Sequence, residues 1–196
     1  SLVAAGIDVA LAVYLVFDAL ERVGTPGPAG APPLWHVERY AWLDKLGIEY
    51  YFGVDGVAVL MILLTAVVIF CGVLASWSHE HRGKEFFAFL LLLVGGVFGV
   101  FASQDLFLFF LFYEIAVLPM YLLIGLGGTG PKEYSAMKLT LMLMGGSALI
   151  VVGILVLFFQ SGSPTFAMES IARAGVPLAT QAWVFPLMFF GFGTLG

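Results

Sequence analysis

The chain has 196 residues, of which 61% are hydrophobic and 11% charged, and its mean hydropathy is +1.05. A water-soluble domain carries about a quarter charged residues, so this shortfall, together with 19 Phe and 24 Gly, points to a bilayer as the solvent. The formal net charge of −5 is spread over the connections without a basic stripe, which excludes nucleic acid as a partner, and the single Cys71 excludes an intrachain disulfide.

A membrane-spanning helix needs about 20 mostly apolar residues. Six segments meet or approach that length: about 2–20, 54–77, 86–101, 105–126, 136–159 and 181–196. The expected fold class is all-α, a polytopic transmembrane helix bundle forming a single membrane domain. Surface loops are expected at 21–53 and 160–180. Both ends lie inside apolar stretches, and no signal-peptide pattern opens the chain, so the sequence reads as a fragment of a longer protein.

In chain order, the connection 21–53 starts with Gly24-Thr25-Pro26-Gly27-Pro28. It continues with Trp35, Tyr40, Trp42, Tyr50 and Tyr51 among charges, as suits a loop lying on the bilayer surface. Asp55 stands where the second span begins and is expected to cap it. Cys71 reads as a small buried hydrophobe. His79 and His81 flank Glu80 in a short solvated loop, with too few ligands for a metal.

The run 86–126 as one helix would be about 60 Å long, twice the hydrocarbon thickness. The polar break Ala102-Ser103-Gln104-Asp105 must therefore be a turn, with Ser103 or Asp105 capping the next helix. Gly95, Gly96 and Gly99 are closely spaced, with Gly95 and Gly99 four apart on one helix face, and Gly145, Gly146, Ser147 and Gly153 recur on another span, so close helix packing is expected at both. Ser163-Pro164 reads as a cap and first turn, predicting a short surface helix near 164–173. Arg82 and Lys84, with Lys132 and Lys138, concentrate positive charge in two short connections, which places those on the cytoplasmic side.

Ionisable residues inside spans are costly to keep and are functional candidates for that reason. Glu114 is the deepest. It lies 9 residues after Asp105 and 12 before Leu126, among Phe109, Phe110, Phe112 and Ile115. A carboxyl there, whose charge depends strongly on what approaches it, suits proton relay; the plainer alternative is a carboxyl that only bonds a neighbouring helix. Pro119 deprives the carbonyl of Ile115 of its partner, which favours a kink or a water nearby. Lys138 reads either as a charge facing the bundle on a proton path or as a snorkelling lysine, too far along the helices for a direct pair with Glu114. Asp8 is a third, lesser candidate for the path. No phosphate-cradling glycine loop, nucleophile triad or CxxC pattern is present.

The stretch 103–125, SQDLFLFFLFYEIAVLPMYLLIG, resembles the proton-translocating membrane subunits of respiratory complex I, and most narrowly the M-type or chain 4 subunit. Gly53-Val54-Asp55-Gly56 with Leu63-Leu64-Thr65, and Ala136-Met137-Lys138 with Gly145-Gly146-Ser147, agree with it. The resemblance implies a non-redox, proton-translocating subunit of NADH:quinone oxidoreductase in a bacterial inner membrane, with this chain equivalent to its second helix through the start of its seventh. It implies Glu114 as the proton-carrying glutamate, with Lys138 in a less certain role. It implies no cofactor on this chain, with NADH, FMN, iron–sulfur clusters and quinone in partner subunits, and antiporter-like membrane subunits and lipid as neighbours. A cation/proton antiporter subunit and a membrane subunit of a membrane-bound hydrogenase share the glutamate and are the alternatives. The family usually shows Phe-Ala-x-Lys-x-Pro near the start of its seventh helix, where this chain reads Phe190-Gly191-Phe192-Gly193-Thr194-Leu195-Gly196 without a lysine.

Overall fold

A computed structural model describes residues 1–22, 34–76, 83–127 and 130–194, which form seven α-helices and one β-hairpin. Five helices are long and apolar enough to cross a membrane: α1 (Leu2–Arg22), α2 (Gly56–Ala75), α3 (Gly83–Ala102), α4 (Leu106–Gly127) and α5 (Lys132–Ser161). A short helix, α6 (Met168–Ala174), leads to the apolar α7 (Leu178–Gly193). With 16 residues α7 is about 24 Å long, so the sixth expected span is a shorter helix than the others. The fold is the expected polytopic helix bundle. Helices α1 to α5 each pack on the next in sequence, and α7 packs on α5.

The long run 86–126 is two helices, as its length requires. Their interface is built from glycine, but not from the expected pair. Gly96 faces Ala116, with 3.0 Å between that residue and a Cβ placed on the glycine, and Gly99 lies under the ring of Phe112. Gly95 faces open space. The packing pair is therefore spaced i,i+3 rather than i,i+4, both spacings sharing one helix face. On α5, Gly146 and Gly153 meet α7 at Gly191 and Thr194 and at Met188, whereas Gly145 is open. Cys71 is exposed, contrary to expectation, because its face of α2 is not covered by another helix among the described residues.

The connection 21–53 is not simply a loop. Its second half is a hairpin of β1 (Trp35–Leu43) and β2 (Ile48–Val54), antiparallel, with Arg39 opposite Tyr51 and Tyr40 opposite Tyr50. Aromatic and β-branched residues at these positions favour strands. A 3-10 turn at Asp44–Leu46 ends at Gly47, which has φ 69° and sits against the carbonyl of Pro164. Its first half falls among residues 23–33, outside the described residues, as do His79, Glu80, His81 and Arg82. The short helix after α5 starts at Met168, later than expected, because Ser163 bonds Thr165 and Ser170 instead of capping at 164.

Candidate functional site

One end of the bundle is tied together through the polar break between α3 and α4. The amide of Gln104 donates to the carbonyl of Tyr51 on β2 (2.9 Å), and the carbonyl of Gln104 accepts from Met168 at the start of α6 (2.9 Å). The Gln104 side chain donates to the carbonyl of Gly53 (3.0 Å), and the amide of Phe166 donates to the carbonyl of Gly47 (2.9 Å). Three chain segments distant in sequence are thereby held at the N-terminus of α4.

Asp105 stands at the centre of this junction and is fully buried. Its Oδ1 accepts from the amides of Phe107 (2.9 Å) and Leu108 (3.1 Å), and its Oδ2 from the amide of Glu49 on β2 (3.2 Å). It caps α4 as expected and also fastens the hairpin, which sequence spacing does not reveal. Burial pushes its carboxyl above the usual range, while the three amide donors pull it back. Asp55 caps α2 by accepting from the amide of Ala58 (2.7 Å). On the hairpin Arg39 pairs with Glu49 (2.6 Å) and lies over the ring of Tyr51 (4.9 Å).

Beyond the cap, α4 runs into the bilayer. Glu114 is 8 residues past Leu106 and 13 before Gly127, about 12 Å from one helix end and 20 Å from the other. Its two flanks are defined by packing. Phe112 and Ala116 face α3, while Phe110 and Tyr113 join the cluster of Ile150 and Ile154 on α5. Glu114 as a whole is half-buried, but its Oε1 is shielded and has no hydrogen-bond partner among the described residues. Pro119 lies inside α4, and the helix continues through it.

The three ionisable residues singled out by sequence do not converge. Lys138 is exposed, one and a half turns inside α5, because that helix begins at Lys132 rather than near 136. It is 12 residues from Ile150, the α5 residue clustered with Tyr113, or about 18 Å along the axis. No direct pair with Glu114 forms. Asp8 is half-buried on α1, which packs on α2 and is separated from α4 by α2 and α3. Sequence reasoning passed over Tyr113, whose Oη is also enclosed and without a partner among the described residues. A hydroxyl-bearing ring beside an intramembrane carboxylate was the available signal.

Residues 103–194 match the family described as NADH:quinone oxidoreductase/Mrp antiporter, TM. Among curated relatives, NAD(P)H-quinone oxidoreductase chain 4 1 of Synechococcus sp. (strain JA-3-3Ab) is 36% identical over 156 residues, covering 80% of this chain and 30% of the relative. The chain 4 1 protein of Microcystis aeruginosa is 33% identical over 187 residues, 95% of this chain and 34% of the relative. The chain thus spans about a third of the length of these relatives. A subunit of respiratory complex I from Thermus thermophilus superposes with a TM-score of 0.83 at 28% identity, covering 98% of this chain and 38% of that subunit. A chain of the Mrp complex from Dietzia sp. shares the fold, with a TM-score of 0.67 at 19% identity over 97% of this chain and 21% of its own length.

Proposed function

We propose, for a chain whose residues 103–194 belong to the NADH:quinone oxidoreductase/Mrp antiporter transmembrane family, that it forms part of a proton-translocation path centred on Glu114. The full-length protein would be a non-redox membrane subunit of an NADH:quinone oxidoreductase, in a bacterial inner membrane, with antiporter-like subunits as neighbours. NADH, FMN, iron–sulfur clusters and quinone would be bound by other subunits.

The observation that carries this reading is Oε1 of Glu114, enclosed in mid-helix without a protein partner among the described residues. Enclosing a carboxyl oxygen without a partner is costly, so such a group recruits water or a new partner as its surroundings change. That behaviour is what a relay needs and what a packing carboxyl avoids, since buried polar groups in a static role are hydrogen-bonded. Lys138, about 18 Å away along the helices, would act at the entrance to the path through water rather than by contact. Asp8, two helices removed, would serve only a separate branch.

The second reading is a cation/proton antiporter subunit or a membrane subunit of a hydrogenase. Its support is likeness of fold to the Mrp chain and to an archaeal membrane-bound sulfane sulfur reductase (TM-score 0.68, 19% identity). The relatives at 33–36% identity favour the quinone oxidoreductase. Co-isolation separates the two. The tagged full-length protein, extracted in mild detergent, should bring NADH:quinone oxidoreductase activity with it. Isolation with sodium/proton exchange activity and no NADH oxidation would overturn the proposal in favour of the antiporter.

A further inference from the structure

The hairpin is fastened to two different helices. Its strand β2 is tied to the start of α4 through Asp105 and Gln104. Its strand β1 reaches back to α1, where Nε2 of His36 lies 2.9 Å from Oδ2 of Asp18. Arg22, one turn further along α1, grips the same carboxylate through Nε (2.9 Å) and Nη2 (3.1 Å). The His36 ring is 45% exposed and exchanges protons with water, whereas the Asp18 side chain is 16% exposed. A guanidinium stays charged throughout, so the imidazole is the member of this trio whose charge changes between pH 5 and 8. Other ionisable groups on the elements around it are Glu21 on α1, Glu38 and Arg39 on β1, Glu49 on β2 and Asp55 before α2, and residues 23–33 contain none. Among the described residues only Asp18 bonds the ring.

Two costs are built into the same place. His36 has φ 52°, in the left-handed region that residues other than glycine rarely adopt, and it lies in a register shift between Trp35 and Glu38. Trp35 beside it is buried in one cluster with Ala19 of α1 and Val54 of β2, yet its Nε1 has no hydrogen-bond partner among the described residues. A strained backbone and an enclosed unpaired donor both favour release of β1 from α1. Burial of the indole and the His36–Asp18 contact oppose release, and of these two only the contact responds to pH.

We propose that His36 and Asp18 form a pH-sensitive strap: with the ring protonated it fastens the hairpin to the end of α1, and with the ring neutral it slackens. A neutral ring can donate one hydrogen bond to the carboxylate, and protonation turns that bond into an ion pair, roughly twice as strong. Because β2 is bonded to Gln104 and Asp105, the strap links the end of α1 to the start of α4. The positive charge of the opposite connections places it on the non-cytoplasmic side, where it senses the pH outside the membrane. The strap does not depend on Glu114 carrying protons.

The test is hydrogen exchange of the β1 peptide in the full-length protein within its assembled complex, at pH 5.5 and pH 8. His36→Gln keeps a hydrogen-bond donor and removes the titration. Dividing the variant's exchange rate by that of the wild type at each pH cancels the chemical pH dependence of exchange. That ratio should be roughly fivefold larger at pH 5.5 than at pH 8, the gain expected when a hydrogen bond becomes charge-assisted. In an Asp18→Asn background the ratio should not vary with pH. Should His36→Gln fail to assemble, Asp18→Asn compared with the wild type is expected to show the same larger ratio in acid. A ratio equal at the two pH values overturns the proposal, as does a pH dependence of the His36→Gln ratio that persists with Asp18→Asn.

Discussion

Replacing Asp105 by alanine tests the junction that positions α4. Three amide donors lose their acceptor at once: Phe107 and Leu108 in the first turn of the helix, and Glu49 across on β2. Loss of an N-cap costs about 1 kcal/mol. Leaving the Glu49 amide enclosed without an acceptor adds about 1–3 kcal/mol. Relief from burying a carboxylate offsets part of this, because the site is fully enclosed. The net cost is roughly 2 kcal/mol, about a thirtyfold rise in local opening. Hydrogen exchange followed by mass spectrometry on the full-length protein should show faster exchange at Glu49, Phe107 and Leu108 together. Faster exchange at Phe107 and Leu108 with no change at Glu49 would refute the link between cap and hairpin. The pH dependence has a definite sign. The folded-state carboxyl titrates above its ordinary value of 3.8, so its linkage contribution is full below that value and is lost as pH rises through the folded one. The stability advantage of the wild type over Asp105→Ala should therefore be largest in acid and smaller at neutral pH; growth of that advantage toward neutral pH would contradict the assignment.

Three further substitutions follow from packing and position. Gly99→Ala places a methyl group under the Phe112 ring and should destabilise by about 1–3 kcal/mol in detergent unfolding, whereas Gly95→Ala, facing open space, should cost nothing or stabilise slightly. Gly47→Ala combines a left-handed backbone with a clash against the Pro164 carbonyl, so proteolysis of the hairpin should become markedly faster. Lys138→Ala, at an exposed position, should change stability by less than about 0.5 kcal/mol and lower proton translocation less than Glu114→Gln does; equal losses in a vesicle assay would place Lys138 on the same step as Glu114.

The spans and the caps were legible because the bilayer imposes them. About 30 Å of hydrocarbon forces a break in the run 86–126, and an aspartate before an apolar stretch has an evident use. Glu114 stood out for the same reason, as a costly group in an apolar run. The hairpin was not legible, because Trp35, Tyr40, Trp42 and Tyr50 fit an interfacial loop as well as a strand, and only pairing with a distant partner decides between them. The choice of Gly96 over Gly95 depends on which face α4 approaches, a tertiary fact that spacing alone does not contain. Cys71 was misplaced likewise, since a small apolar residue is equally at home against lipid or protein. Tyr113 escaped notice because its ring belongs to the aromatic run; its hydroxyl matters only once enclosure is known.

The central claim is that Glu114 carries protons, and the proton-to-electron ratio of the Glu114→Gln complex tests it most directly. Glutamine preserves shape and removes the titration, so the complex should assemble and oxidise NADH with quinone. Initial rates of NADH oxidation and of acidification, measured together in sealed vesicles, give the ratio. The account predicts a ratio clearly below that of the wild type at matched assembly. A ratio equal to the wild type's would contradict it and leave Glu114 a packing carboxyl.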